Sequence, residues 1–346
     1  MEDSDIALQW EGLMREGRFA DAWAVSDGVL RAARPQDPVC PRHLQRVWTG
    51  GPLAGQRVLV RCYHGLGDTI QFVRFARPLR DIAASVSVWV QPSLLSLIAG
   101  VDGVDAVEPL TDGVPVTRFD VDIEVMELAH ALRITPYDLG ATRPYIRPLT
   151  SCPADLAGMI HSGDTVLRVG IAWRGGEWDR RRDISAKLIA SLNIPGVRLF
   201  SFQQDGSAEA HSMGAADFGH LSVVEIASAV PELDLVITAD TMLAHLAGAM
   251  GRPVWTLLPT PCDWRWMDAA PDTPWYPAMR LFRQETPGAW ADVIGSVRAA
   301  LRAEVRSSPP FAKLRGVPPG GEFVVAEDGP AMRVLDVHMP DVLLPA

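Results

Sequence analysis

The sequence is poor in cysteine and lacks long apolar runs and long basic tracts. Only four cysteines stand among 346 residues, at Cys40, Cys62, Cys152 and Cys262. They are far apart, form no C-x-x-C pair and have no histidine at metal-ligand spacing. A disulfide framework and a metal site are therefore not expected, and a reducing cytoplasm is the expected location.

The absence of long apolar runs and basic tracts argues against a membrane protein and against a nucleic-acid-binding protein. No stretch approaches the roughly 18 uninterrupted apolar residues of a membrane-spanning helix. The first ten residues, MEDSDIALQW, are acidic where a signal peptide needs a basic start and an apolar run. The net charge is −10, and no long basic tract is present to release counterions from nucleic-acid phosphates. We expect no membrane span, no export by a signal peptide and no nucleic-acid partner.

The composition that remains is that of an ordinary globular protein, 48% hydrophobic and 21% charged. Its length suits two α/β domains of about 100–200 residues each. Apolar runs of strand length alternate with segments of helical spacing, which predicts parallel sheets covered by helices. The predicted parts are a helical hairpin and connector at 1–45, an α/β domain at 46–150, a second at 151–307 and an extension at 308–346. An Asp-Gly pair at 328–329 favours a β-hairpin in the extension.

Two helical patterns separated by Gly17 occupy residues 5–34. Their spacing resembles one tetratricopeptide repeat, with Gly12, Phe19 and Ala22 at packing positions. A single repeat cannot bury its own apolar face. The hairpin is therefore either docked on the next domain, which we favour, or a peptide-binding surface. A late amphipathic pattern over 289–305 predicts a helix that crosses back over the first domain.

A glycine-containing turn follows the first apolar strand, predicted over 57–63. The turn reads His64-Gly65-Leu66-Gly67-Asp68 and leads into a helix predicted over 69–82. Gly65 and Gly67 let the backbone turn sharply and approach a ligand closely. Asp68 is either a general base or a helix N-cap. His64 competes for the role of base, with a surface-loop histidine as the favoured alternative.

Two polar residues follow on the same helix. Gln71 and Arg74 either touch an acceptor molecule or form the solvent-exposed face of the helix.

An arginine-rich loop follows the first strand of the second domain, predicted over 167–173. Four of its residues are arginines, namely Arg174, Arg180, Arg181 and Arg182. Guanidinium groups bind phosphate oxygens with two donors, so the loop is a candidate diphosphate site. Arg174 is the best placed, because it follows the strand directly. The competing interpretation is a solvated charged loop.

The most informative stretch runs from residue 234 to 259. It predicts a strand over 235–238, a helix opened by Asp240-Thr241 and a second strand over 254–258. Helix N-termini after parallel strands bind anionic groups, so Asp240, Thr241 and the backbone of Met242 are expected beside a ligand. We expect Asp240 to cap this helix. His245 shares a face with Thr241 and either binds the ligand or is a satisfied core histidine.

Two tryptophans, Trp264 and Trp266, alternate with Arg265 in a loop predicted over 260–278. Their rings either stack on a base or sugar or pack as part of a lid.

Together, these turns resemble the two signatures of the family 9, heptosyltransferase-like glycosyltransferases. The first is the turn that begins at Gly65, and the second runs from Asp240 to Ala249. More closely, the chain resembles the glycosyltransferase domain that follows tetratricopeptide repeats in many bacterial proteins. That domain carries a G-L-G-D-T-I-Q-F-x-R turn, matched at 65–74, and a D-W-R-W loop, matched at 263–266.

The resemblance implies a GT-B architecture, with two Rossmann-like domains facing across a cleft. The first would hold the acceptor and the second the nucleotide-diphosphate sugar. It assigns Asp68 as base, and Asp240, Thr241 and His245 to the donor site. Met242 departs from the Gly or Ser usual in this turn.

The implied reaction inverts the anomeric centre and uses no metal, because Asp120 and Asp122 flank strand residues rather than forming a metal-binding loop. The alternatives are a nucleotide-sugar hydrolase or epimerase, and a degenerate nucleotide-sugar-binding module. The acceptor would be a glycan, a small molecule or a protein.

Overall fold

The computed structural model describes residues 3–32, 42, 47–140, 143–163, 167–177, 179–268 and 270–307. The predicted β-hairpin after residue 307 and most of the predicted connector lie outside these ranges.

The chain alternates helices with short parallel strands. The elements of its first half are α1 (Asp3–Arg15), α2 (Phe19–Ala32), β1 (Arg57–Arg61), α3 (Leu66–Phe72), α4 (Ala76–Ile82), β2 (Ser85–Val90), α5 (Leu95–Ala99), β3 (Ala106–Pro109), β4 (Val121–Glu124), α6 (Leu128–Ala131) and α7 (Pro136–Gly140). Those of its second half are α8 (Ala154–His161), β5 (Leu167–Ala172), α9 (Ala186–Ile189), β6 (Val197–Ser201), α10 (Ser207–Ser212), β7 (Ala216–Asp217), α11 (Val223–Ala229), β8 (Leu235–Ala239), α12 (Met242–Ala249), β9 (Val254–Leu258), β10 (Met279–Arg283) and α13 (Trp290–Ser307).

The strands form two parallel sheets, one in each half of the chain. The first has the order β3-β2-β1-β4 and the second β10-β9-β8-β5-β6-β7. The central strands β8 and β9 are buried along their whole length. Strands of a parallel sheet covered on both faces are expected to be apolar throughout. The predicted α/β class with parallel sheets is confirmed.

The helix predicted over 69–82 is interrupted. α3 begins three residues earlier than predicted, and a 3₁₀ turn over Val73–Phe75 separates it from α4. Pro78 explains the break, because it has no N–H to donate to the carbonyl of Arg74 and is tolerated only in the first turn of a helix. The chain therefore restarts a helix at Ala76.

The last helix covers the second sheet rather than the first. Trp290, Val293 and Leu301 of α13 are buried in one apolar cluster with Leu167 and Trp255 of the second sheet. The predicted crossing back over the first domain is wrong. The strongly amphipathic pattern gave the helix correctly, but it carries no information about which sheet the apolar face covers.

The N-terminal hairpin is docked on the rest of the chain. The Trp23 indole donates to the carbonyl of Ile134 at 2.8 Å. Asp27 lies 2.9 Å from His130 and 2.7 Å from Arg133. The apolar face of the hairpin is thus satisfied by the first half, which supports the docked interpretation over a peptide-binding surface.

The hairpin also reaches the second half. Arg15 of α1 lies 3.2 Å from Asp268, and the Trp10 ring packs edge-on against Trp264 with centroids 5.0 Å apart. Because α2 holds the first half and α1 the second, the hairpin bridges the two.

Candidate functional site

The predicted turn residues lie where the strand order of each sheet reverses. In the first sheet β1 pairs with β2 on one side and β4 on the other. In the second sheet β5 pairs with β6 on one side and β8 on the other. Ligands of open α/β sheets bind at the carboxyl ends of strands at such switch points. The His64–Asp68 turn follows β1, the arginine loop follows β5, and Asp240 follows β8.

Asp68 lies in the first turn of α3 and uses both carboxylate oxygens. Its Oδ2 accepts a hydrogen bond from the Gly65 N–H at 3.0 Å. Gly65 is therefore the N-cap, and Asp68 reaches back to it from the third helical position. Its Oδ1 accepts from Arg265 Nη1 at 2.7 Å. Burial alone would raise the pKa of Asp68, but the Arg265 guanidinium outweighs it and the pKa is lowered.

Arg265 is one of two residues of this site that the sequence interpretation missed. The residue is 8% exposed, and its guanidinium donates to Asp68, to Gln71 Oε1 at 2.9 Å and to Asp263 Oδ1 at 2.9 Å. The Asp263, Asp68 and Asp240 carboxylates raise its pKa despite burial. Its position between two conspicuous tryptophans was visible, but no local pattern indicates a partner 197 positions away.

A second carboxylate, Glu124, ends the neighbouring strand β4. Only 3% of it is exposed, and its Oε2 accepts from the Met126 N–H at 2.7 Å. The imidazole of His64 lies 3.8 Å from the same oxygen. Burial is the main reason why the pKa of Glu124 is raised to about 8. The sequence interpretation missed Glu124, although the carboxyl end of a strand next to β1 was the place to look.

Arg182 connects the two loops that meet at the second switch point. This arginine is 8% exposed, and its Nη1 donates to the carbonyl of Asp240 at 2.8 Å. A side chain at Gly175 would meet the guanidinium at 2.9 Å, so the glycine makes room for it. Arg182 therefore joins the loops after β5 and β8.

The other arginines of the loop are paired with carboxylates. Arg174 lies 2.5 Å from Glu209, and Arg181 lies 2.9 Å from Asp179. Arg180 lies 3.1 Å from both Glu177 and Asp183. Arg180 and Arg181 are largely exposed, which matches the solvated-loop interpretation for these two residues.

The helix N-terminus after β8 is built differently from the expectation. Thr241 is the N-cap of α12, and no side chain caps it. The expected capping role of Asp240 is wrong, because its Oδ2 instead accepts from the Trp266 indole at 2.9 Å. The Thr241 and Thr238 hydroxyls lie 2.9 Å apart. Thr241 and Met242 are half-buried.

His245 is buried where α12 meets α3. Its Nδ1 lies 2.9 Å from the Tyr276 hydroxyl, and its Nε2 lies 3.6 Å from Asp240 Oδ1. The ring stacks on Trp266 with centroids 5.4 Å apart. A Cβ at Gly67 would lie 2.8 Å from its Cδ2. This environment is that of a satisfied core histidine. It also explains why residue 67 is a glycine, because a larger side chain there would clash with the His245 ring.

Gln71 of α3 and Arg74 of the 3₁₀ turn that follows it are both buried. Gln71 is fully buried and Arg74 is 6% exposed, so the solvent-face interpretation of both is wrong. Arg74 donates to the Trp275 carbonyl at 2.6 Å and to the Tyr145 hydroxyl at 2.9 Å. Its guanidinium also lies 4.7 Å from the centre of the Tyr276 ring. These contacts join the two halves of the chain.

The two tryptophans of the 263–266 loop are packed. Trp266 is fully buried between Asp240 and His245, which favours its lid-packing interpretation over stacking on a ligand. Trp264 is half-buried and lies among Trp10, Phe72 and Trp275.

The described part of the chain contains neither a metal-binding cluster nor a membrane-spanning helix. No group of three or more His, Cys, Asp or Glu residues there is arranged to hold a metal ion. Asp120 and Asp122 instead pair with Arg57 and Arg61, at 2.6 and 2.5 Å. No helix in the described ranges has both the length and the apolarity to cross a membrane.

Two parallel sheets joined at their switch points define a GT-B fold, as the resemblance implied. Solved structures with this fold superpose on most of the chain. A family 9 glycosyl transferase from Veillonella parvula has a TM-score of 0.54 and 12% identity, covering 74% of this chain and 99% of that one. The ADP-heptose LPS heptosyltransferase II of E. coli has a TM-score of 0.53 and 14% identity, covering 72% and 98%.

Sequence comparison gives one distant relative among curated proteins. Protein FlbA of Caulobacter vibrioides is 24% identical over 326 residues, covering 84% of this chain and 53% of that protein. The chain thus spans about half the length of this relative. No family model matches the sequence. At these identities, the likeness to the solved structures establishes the fold alone.

Proposed function

We propose that the protein transfers a sugar from a nucleotide-diphosphate sugar to an acceptor hydroxyl, with inversion and without a metal. The observation that carries the proposal is the meeting of the two switch points. The first presents carboxylates and an imidazole, and the second presents Arg182 and the N-terminus of α12. Transfer needs a base for the acceptor proton and positive charge for the departing diphosphate.

We further propose that residues 46–150 bind the acceptor and residues 151–307 the donor. The donor side would comprise Thr241, the Met242 backbone and Arg182, with Arg174 released from Glu209 by the diphosphate. The acceptor would lie over the Gly65-Gly67 turn, with Asp68 or His64 as base. Gln71, Arg74, His245 and Trp266 would support the site from within. Since Cys62, Cys152 and Cys262 are free, we place the reaction in the cytoplasm.

ADP-heptose is the first donor to test, because one of the similar solved structures is named for it. Melting temperatures would be compared with ADP-, UDP-, GDP- and dTDP-sugars, and release of the nucleoside diphosphate followed with and without acceptors. Asp68→Asn should keep the donor-induced shift and lower transfer by about 10²–10⁴-fold if Asp68 is the base. Wild-type rates in this variant would remove Asp68 from that role.

Arginine variants test the donor side. Arg182→Ala should weaken binding of the nucleoside diphosphate much more than that of the nucleoside, by about 1.5–3 kcal/mol. Arg181→Ala is the matched control, since Arg181 is exposed and paired with Asp179. Equal losses for nucleoside and diphosphate in calorimetry would make the loop purely structural.

A degenerate nucleotide-sugar-binding module is the second candidate. Met242 at the helix start and the carboxylate partners of Arg174, Arg180 and Arg181 favour it. Donor binding without release of the nucleoside diphosphate, with any acceptor, would support this candidate. Release without any acceptor would instead indicate a hydrolase.

A further inference from the structure

The structure holds a second candidate for the proton acceptor besides Asp68. We propose that His64 takes the acceptor proton and that Glu124, 3.8 Å from its Nε2, is the positioning residue that orients its ring and faces the charge that the ring acquires. This inference rests on the proposed transfer reaction and specifies the residues that carry its proton step.

Asp68 is poorly suited to take a proton in this arrangement. One of its oxygens holds the Gly65 N–H and the other holds Arg265, at 3.0 and 2.7 Å. The pKa of Asp68 is lowered. An efficient general base has a pKa near the working pH, so an ion-paired aspartate is at a disadvantage.

His64 is in a better position. It lies in the same turn, before the two glycines, and 31% of its side chain is exposed. Gln91 donates to its backbone carbonyl at 2.7 Å and ties the turn to the segment after β2. The ring is therefore reachable from outside while its backbone is held.

Glu124 is the last residue of β4, the strand that pairs with β1 at this switch point. Arg61 and Glu124 are paired residues of β1 and β4, so the fold sets the distance between the two turns. The Met126 and Tyr63 N–H groups hold the carboxyl group at 2.7 and 3.4 Å, and His64 Nε2 lies at 3.8 Å. A carboxylate that orients a catalytic imidazole is a recurring arrangement in acyl transfer.

The groups that face Glu124 act in two directions. Burial and the Glu127 and Asp68 carboxylates favour its neutral form, whereas the Met126 and Tyr63 N–H groups favour the carboxylate, as would a protonated His64 ring. The buried Cys62 thiol also faces it. Burial raises the pKa of Glu124 to about 8. The Glu124 carboxyl group therefore takes up a proton as the pH falls below about 8, and in its neutral form it no longer faces the imidazolium with a negative charge.

The chemical step balances within this pair. The acceptor O–H proton passes to the His64 imidazole as the oxygen bonds to the anomeric carbon. The bond from that carbon to the diphosphate oxygen breaks, and the nucleoside diphosphate leaves with the electron pair. The Glu124 carboxylate faces the imidazolium that results.

The test is the pH profile of kcat/KM. We expect the wild-type kcat/KM to fall as the pH drops below about 8. In Glu124→Gln, this acid limb of the profile should move to lower pH by one pH unit or more. His64→Gln should cost about 10²–10⁴-fold in kcat. Glu124→Asp, which keeps a carboxylate, should restore part of the limb. Asp122→Asn on the same strand, whose partner is Arg61, should leave it in place.

A limb below about pH 4 that Glu124→Gln does not move would overturn the proposal and assign the base to Asp68. An NMR titration of the His64 ring, assigned with His64→Gln, separates this outcome from failure of the proposed function. A ring titration unchanged in Glu124→Gln overturns the pairing whether or not a donor is found. Absence of a melting shift with every donor sugar would instead overturn the transferase assignment.

Discussion

Arg265 Nη1 lies 2.7 Å from Asp68 Oδ1, joining the loop after β9 to α3 of the other half. The arginine side chain is buried and the aspartate is about one-fifth exposed. The same guanidinium also reaches Gln71 and Asp263. One side chain therefore sets both the charge environment of Asp68 and the contact between the two halves.

Removing this arginine should be costly. Arg265→Met keeps the volume but leaves the Asp68 and Asp263 carboxylates without their cation, and losing one partner of a buried pair costs about 3–5 kcal/mol. Because Asp68 is partly solvated, we expect about 3 kcal/mol in urea unfolding. Adding Asp68→Asn should recover at least about 1 kcal/mol, and strict additivity of the two changes would contradict the coupling.

The pair also predicts an acid dependence. The pKa of Asp68 is lowered by Arg265, so its contribution to stability is present above the ordinary value of about 3.9 and is lost as pH falls through the lowered value. The wild-type protein should lose stability below about pH 4 more steeply than Arg265→Met. Parallel curves for the two proteins would show that Asp68 is not held by this contact.

Glu124 predicts the opposite slope at neutral pH. Its pKa rises from about 4.5 to about 8 on folding, so the folded state binds more protons between these values and stability falls as pH rises. Thermal unfolding of Glu124→Gln should be flatter than that of the wild type from pH 5 to pH 8. The difference should change by up to about 1.4 kcal/mol per pH unit. Equal slopes would place Glu124 in a wetter environment.

Gly67 should not tolerate a side chain. The added Cβ of Gly67→Ala would lie 2.8 Å from His245 Cδ2, and overpacking of this kind costs about 1–3 kcal/mol. Gly28→Ala in α2, where nothing lies within 4 Å, is the control and should stabilise by up to about 1 kcal/mol. Combining Gly67→Ala with His245→Ala should relieve the clash. No relief would mean that the strain lies elsewhere.

The hairpin should matter for the site. Trp10→Ala removes the edge-on contact with Trp264 and Arg15→Ala the ion pair with Asp268. We expect faster proteolysis of the 262–268 loop in both variants, and a weaker donor-induced melting shift. Glu16→Ala, which removes a carboxylate paired with Arg18 inside the hairpin, is the control. Unchanged cleavage would show that the hairpin does not hold this loop.

Local patterns predicted the elements well and their contacts poorly. The βαβ unit from 235 to 258 was predicted within about two residues, because its apolar runs and the glycine and proline stops are all local signals. Asp240 was misassigned since an acidic residue before a helix is usually a cap. Nothing local reveals that Trp266 lies close enough to donate to it.

Because local patterns do not reveal long-range contacts, only some of the site residues could be predicted from the sequence. Asp68 and His64 lie in a turn with an obvious glycine pattern. Arg265 and Glu124 belong to the site only because they contact Asp68 and His64, which are 197 and 60 positions away in the sequence. Gln71 and Arg74 were expected at a solvent-exposed face as one alternative. They are buried because the other half of the chain covers that face, which sequence periodicity does not report.

The docking of the hairpin on both halves has a consequence for biosynthesis. Arg15 and Asp268 are 253 positions apart, so the first two helices leave the ribosome long before their last partner exists. At about 5–20 residues per second, the delay is roughly 10–50 s. Throughout that interval Trp10 has no Trp264 to cover it. A nascent chain stalled before residue 260 is therefore expected to bind chaperones through this hairpin, and release should follow once the tryptophan loop emerges.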